Sequence, residues 1–104
     1  MTRKATSRNG VAIRLTDERW VHIVDEHCEL GGFLDDIMRT VEEADRVLAG
    51  GQGELIAVRK LETGHALAVV YREVPPDDGF VITAFRTSRW DTLNRRRQLW
   101  PPTK

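Results

Sequence analysis

The run Gly79-Phe80-Val81-Ile82-Thr83-Ala84-Phe85-Arg86-Thr87-Ser88-Arg89 carries an apolar strand pattern straight into two guanidiniums and two hydroxyls. Strand alternation puts Phe80, Ile82, Ala84 and Arg86 on one face and Val81, Thr83, Phe85 and Thr87 on the other, so both faces turn polar at the same end. A guanidinium forks onto a phosphate, and a neighbouring hydroxyl donates to or accepts from the same group. Arg86, Thr87, Ser88 and Arg89 are therefore candidates for holding an anion. The plainer reading is a central strand that has reached solvent.

Two histidines of an early helix are candidates for proton transfer. His22 falls nearly opposite Trp20, Val24 and His27, close to Glu18, Asp25 and Glu26, and neighbouring carboxylates favour the charged imidazole. That suits a general acid or a phosphate-contacting cation; it also describes a surface histidine on an acidic helix face. His27 falls on the apolar stripe near the helix C-terminus, where protonation is favoured, and reads equally as a buried, hydrogen-bonded side chain. His65 opens a strand after a turn and is read as structural. Arg59 and Lys60 end a strand on opposite faces. Because neighbouring antiparallel strands run oppositely, the end of that strand and the end of 79–89 can share one sheet edge, bringing a cation to face Arg86 and Thr87. Arg95-Arg96-Arg97 reads as a solvated run, or at most a phosphate-docking patch of low specificity.

These residues depend on a short list of elements. Met1–Gly10 is polar and reads as loose, and Val11–Leu15 as a brief edge strand. Thr16 is placed to cap a helix, with Asp17 and Glu18 in its first turn and Leu15 and Trp20 at staple positions. Trp20, Ile23, Val24 and His27 form its apolar stripe, and Gly31-Gly32 is predicted to end it. A second helical pattern runs through Leu34, Ile37, Met38, Val41, Ala44 and Leu48 to Gly50-Gly51, its other side acidic and read as solvated. From Glu54 the period becomes two: a strand to Lys60, a turn at 61–64, a strand over 65–74, a turn at 75–79 and the strand already described. Trp90–Trp100 is compatible with a short helix, and Pro101-Pro102 ends it. The expectation is a two-layer α+β domain in the order β-α-α-β-β-β, with both helices on one face of an antiparallel meander.

At 104 residues the chain reads as one domain, with positions 1–10 and 101–104 loose. Its formal net charge is zero but unevenly spread: ten acidic residues lie between Asp17 and Asp45, whereas six basic residues against Asp91 follow from Arg86 onward. Such a chain has no global field for a polyanion, only local basic surface where its ends meet. One cysteine and three scattered histidines give neither a disulfide nor a zinc spacing, so no metal or cofactor is expected. No apolar run suggests a leader or a membrane span, and the expected setting is cytoplasmic.

Leu15-Thr16-Asp17-Glu18-Arg19-Trp20-Val21-His22-Ile23, His27-Cys28-Glu29-Leu30, the following helix and meander, and Gly79–Thr87 together resemble the phage- and toxin-associated nuclease-like domains of the Barnase/EndoU/colicin/RelE fold, over about Val11 to Arg89. The resemblance implies metal-independent RNA cleavage by a toxin or phage effector. Attack of a ribose 2′-OH on its phosphodiester would use His22 or His27 as acid/base group, Arg86 as phosphate cation and Thr87 as orienting hydroxyl. Lys60, Arg59, Ser88 and Arg89 would assist, with RNA and a cognate inhibitor protein as partners. Relatives often carry Pro where this chain has Cys28, and catalytic residues change between branches of the fold group. The contrasting expectation is a catalytically inactive protein-interaction module of the same fold.

Overall fold

The structure is a computed structural model, and residues 2–102 are described; Met1 and positions 103 and 104 lie outside the described residues. It is α+β, with three α-helices and a seven-stranded mixed sheet among the described residues. The elements are β1 (Arg3–Thr6), β2 (Ala12–Leu15), α1 (Asp17–Glu26), a 3₁₀ turn (Cys28–Leu30), α2 (Leu34–Glu42), β3 (Arg46–Ala49), β4 (Leu55–Lys60), β5 (Ala66–Val74), β6 (Asp78–Thr87), α3 (Trp90–Asn94) and β7 (Gln98–Trp100). In space the strands run β1-β2-β6-β5-β4-β3-β7. All pairings are antiparallel except β2 with β6. Among the described residues no helix is long and apolar enough to cross a membrane.

The expected order β-α-α-β-β-β is corrected at both ends and in the middle. Arg3–Thr6, read as loose, pairs along its length with β2, and Gly10 supplies the positive φ of 82° in the connecting turn. The second helix stops at Glu42, and Arg46–Ala49 is a strand. Val47 is buried against the helices and Leu48 on the far side of the sheet. A short run buried on both faces satisfies helical and strand spacing equally, so period alone misassigns it. The first helix ends at Glu26, with His27 as its cap, rather than at Gly31-Gly32.

The core divides at the sheet. On one face α1, the 3₁₀ turn and α2 deliver Ile23, Leu30, Ile37, Met38 and Val41 onto Leu67, Val69, Tyr71, Val81 and Ala84. On the other, Leu93 of α3 packs over Leu48, Ile56, Val58, Ala66 and Ala68, with Trp90 and Phe85 at its border. Helices thus cover both faces, correcting the one-sided packing expected, and burial of Leu93 contributes about 2 kcal/mol to holding the short α3 down. Thr16 caps α1 as its sequence position suggests, accepting from the Arg19 N–H at 3.1 Å.

One irregularity decides what β6 presents. Val70 pairs with Thr83 but Tyr71 with Val81, leaving Ile82 as the extra residue of a bulge. Before the bulge the expected faces are exchanged: Val81, not Ile82, shares the helix side with Ala84. After it the alternation holds, with Arg86 on the helix side and Phe85 and Thr87 on the other.

Candidate phosphate-binding groove

Pairing across β4, β5 and β6 sets Arg59, Leu67 and Arg86 in one row, and Lys60, Ala66 and Thr87 in the next. Leu67 is buried beneath the helices, so Arg59 and Arg86 project to that same face on either side of it. Lys60 has the opposite alternation but, as the last residue of β4, still lines the same groove. Together Arg59, Lys60 and Arg86 line a groove of about 400 Å³ closed by Phe33, Asp36 and Arg39 of the α2 region and by Leu61–Thr63 of the β4–β5 turn. The cations expected to share one sheet edge thus line one groove.

The two arginines are held in different ways. Arg59 has a side chain only 13% exposed; its Nε donates to Thr40 Oγ1 at 3.1 Å, and its Nη2 donates to the Asp36 carbonyl and carboxylate at 3.2 and 3.0 Å. Thr40 Oγ1 in turn donates to the Asp36 carbonyl at 2.7 Å. Guanidinium orientation is therefore set by the buried face of α2, and Nη1 is left for a ligand. Arg86 lies 5.9 Å from the Phe33 ring centroid and has no carboxylate partner among the described residues. A cation–π contact at this range is weak, on the order of 0.5 kcal/mol, so the ring steers Arg86 without saturating its donors. Arg39 is engaged by Glu43 at 2.8 Å. Asp36 and Glu62 are the groove's carboxylates, and Glu62 has no cation held against it among the described residues.

The remaining candidates lie elsewhere. His22 pairs with Glu26 at 2.5 Å and lines a separate depression with Thr16, Glu18 and Arg19. His27 caps α1: its N–H donates to the Ile23 carbonyl at 2.8 Å and its carbonyl accepts from Leu30 at 2.9 Å, while its half-buried ring lines none of these depressions. Thr87 and Arg89 line a groove on the opposite face of the sheet, and Thr87 Oγ1 accepts from the Arg89 N–H at 3.0 Å. Ser88 is exposed between them, its carbonyl accepting from the Trp90 N–H at 3.0 Å. Arg86 and Thr87, adjacent in sequence, thus serve opposite faces.

Phe33, Asp36, Glu62 and Thr63 are groove residues that sequence reasoning did not single out. Asp36 and Thr40 stand four apart on α2, a spacing that puts them on one side, but only the fold shows that Arg59 bonds both. Phe33 precedes α2 with no motif to distinguish it. No family model matches the chain, and neither a curated protein nor a solved structure does.

Proposed function

We propose that this chain is a small endoribonuclease-like domain that holds an RNA phosphodiester between Arg59, Lys60 and Arg86. Support comes from one observation: three cations converge from the ends of β4 and β6 on a groove whose only opposing carboxylates, among the described residues, are Asp36, already bonded to Arg59, and Glu62. Oriented guanidiniums stabilise the charge that grows on a phosphate as it becomes five-coordinate. Phe33 offers a flat apolar surface for an adjoining base.

In the proposed reaction the ribose 2′-OH gives its proton to the Glu62 carboxylate, and the O2′–P bond forms as the P–O5′ bond breaks. The departing 5′ oxygen takes its proton from solvent water, since neither His22 nor His27 lines this groove. The products carry a 2′,3′-cyclic phosphate and a 5′-hydroxyl. RNA is the target because DNA lacks the attacking hydroxyl.

The test is incubation of an end-labelled, mixed-sequence oligoribonucleotide with the purified protein in EDTA. Cleavage to cyclic-phosphate ends, lost in Arg86→Gln and Glu62→Gln, supports the reading. The separate placement of His22, Arg86 and Thr87 favours a second reading, a silent interaction module of the same fold. Intact RNA, unbound and uncleaved, would leave that module as the account.

A further inference from the structure

The face of the sheet away from α1 and α2 carries a second groove, of about 390 Å³, between α3 and the strands β4, β5 and β6. We propose that it binds a small amphipathic anion, an aromatic or short-chain molecule bearing one carboxylate or comparable charge, independently of RNA. Ile56, Val70, Phe85 and Leu93 supply an apolar floor, and the volume falls within the range of small-molecule pockets, roughly 300 to 1,000 Å³.

Charge at the two ends fixes which way the ligand lies. At one end Glu54 accepts from the Gln52 N–H at 2.7 Å and lies in the field of Arg72 and Arg96, while Arg96 also donates to the Ala49 carbonyl at 3.3 Å. The cations at that end are already engaged, by the Glu54 carboxylate and by the Gln52 and Ala49 carbonyls. At the other end Arg89 has no carboxylate partner among the described residues, and its own N–H donates to Thr87 Oγ1, which leaves the Thr87 hydroxyl proton free to donate. Trp90 Nε1 donates to the Gly64 carbonyl at 3.1 Å, which anchors the start of α3 beside this end. An anionic head therefore sits against Arg89 and Thr87, and the apolar body runs along Phe85 toward Ile56.

Naphthalene-2-carboxylate and its uncharged counterpart 2-naphthamide test the assignment by amide-shift titration of the full chain. The carboxylate is expected to saturate shifts at Ile56, Val70, Phe85 and Leu93. Its affinity should fall on the order of tenfold in Arg89→Gln, an exposed site whose exchange leaves the core alone. The amide should bind more weakly by a similar factor, and Arg86→Gln should change nothing, which separates this site from the RNA groove. Shifts that fail to saturate, equal affinity for the two compounds, an unaffected Arg89→Gln, or shifts confined to RNA addition would each overturn it.

Discussion

Arg59 and Arg86 stand on either side of Leu67 in a single cross-strand row, both on the helix side of the sheet. One is fastened to Asp36 and Thr40 and the other lies over Phe33 with no carboxylate partner among the described residues, in a groove that Lys60 also lines. A phosphate needs little more from a protein than donors aimed where charge develops, and this row is the arrangement on which the proposed RNA chemistry rests.

Adjacent residues on opposite faces should behave differently. Arg86→Gln is expected to lower RNA cleavage by roughly 10²-fold, the usual scale for losing one transition-state donor. Thr87→Ala and His22→Ala, whose side chains line other depressions, should stay within about threefold of the parent, well under 1 kcal/mol. Single-turnover rates on one oligoribonucleotide decide it.

Tyr71 is fully buried and its hydroxyl has no hydrogen-bond partner among the described residues, and burial pushes the phenol well above its usual range. Removing an unsatisfied buried group relieves a desolvation penalty of about 1–3 kcal/mol while keeping the ring. Tyr71→Phe should therefore be neutral or stabilising by about 1 kcal/mol in urea unfolding, whereas Tyr71→Ala, which empties the site, should cost about 3–5 kcal/mol.

Gly79 is the glycine that packing requires. A Cβ there would stand 2.5 Å from Ile13 Cδ1 and 2.7 Å from the Arg72 carbonyl, and the backbone atom has nowhere to go. Gly79→Ala should destabilise by about 1–3 kcal/mol, since overpacking shifts β6 against β2 and β5. Gly51, with nothing within 4 Å of the same position, should accept alanine within about 0.5 kcal/mol. Urea midpoints of the two variants give the comparison.

The bidentate pair from Arg14 to Asp78, at 3.1 and 2.9 Å, holds the Asp78 carboxyl below its usual range, the hydrogen bond from Arg14 being the main cause and the Gly79 N–H the next. A carboxyl depressed in the folded state stabilises it above the unfolded-state value, about 3.9, and that contribution is lost as pH falls through the folded-state value. Asp78→Asn should thus lower Tm at pH 7 and match the parent in acid where carboxylates are protonated. Both partners are roughly half exposed, so the difference is small. An equal gap at both pH values would contradict the assignment.

Local signals in the sequence account for the parts of the fold that depend on near neighbours. The Thr16 cap, the apolar faces of α1 and α2, and the strand 79–89 with its basic end all follow from spacing within a few residues. Antiparallel order allows the ends of β4 and β6 to share one sheet edge, and the fold adds that Arg59, Lys60 and Arg86 line one groove there while Thr87 faces the other side. What sequence could not supply depends on distant partners. β1 is polar and pairs only because β2 offers an edge; Val47 and Leu48 read in either period; the bulge at Ile82 leaves no mark in residue type. Arg8, read as part of a loose start, donates to the Ala44 carbonyl and stacks 4.3 Å over Trp100, a contact between the two ends of the chain that no local pattern announces.

The most direct measurement is the affinity of a fully 2′-O-methylated oligonucleotide, which cannot be cleaved, for the parent and for Lys60→Gln, Arg86→Gln and Arg89→Gln. Anisotropy at fixed salt should show on the order of tenfold weaker binding for the first two and little change for the third, because each lost phosphate contact is worth about 1–3 kcal/mol and Arg89 faces away. Undiminished binding in Arg86→Gln, or a loss confined to Arg89→Gln, would contradict the placing of the phosphate between Arg59, Lys60 and Arg86.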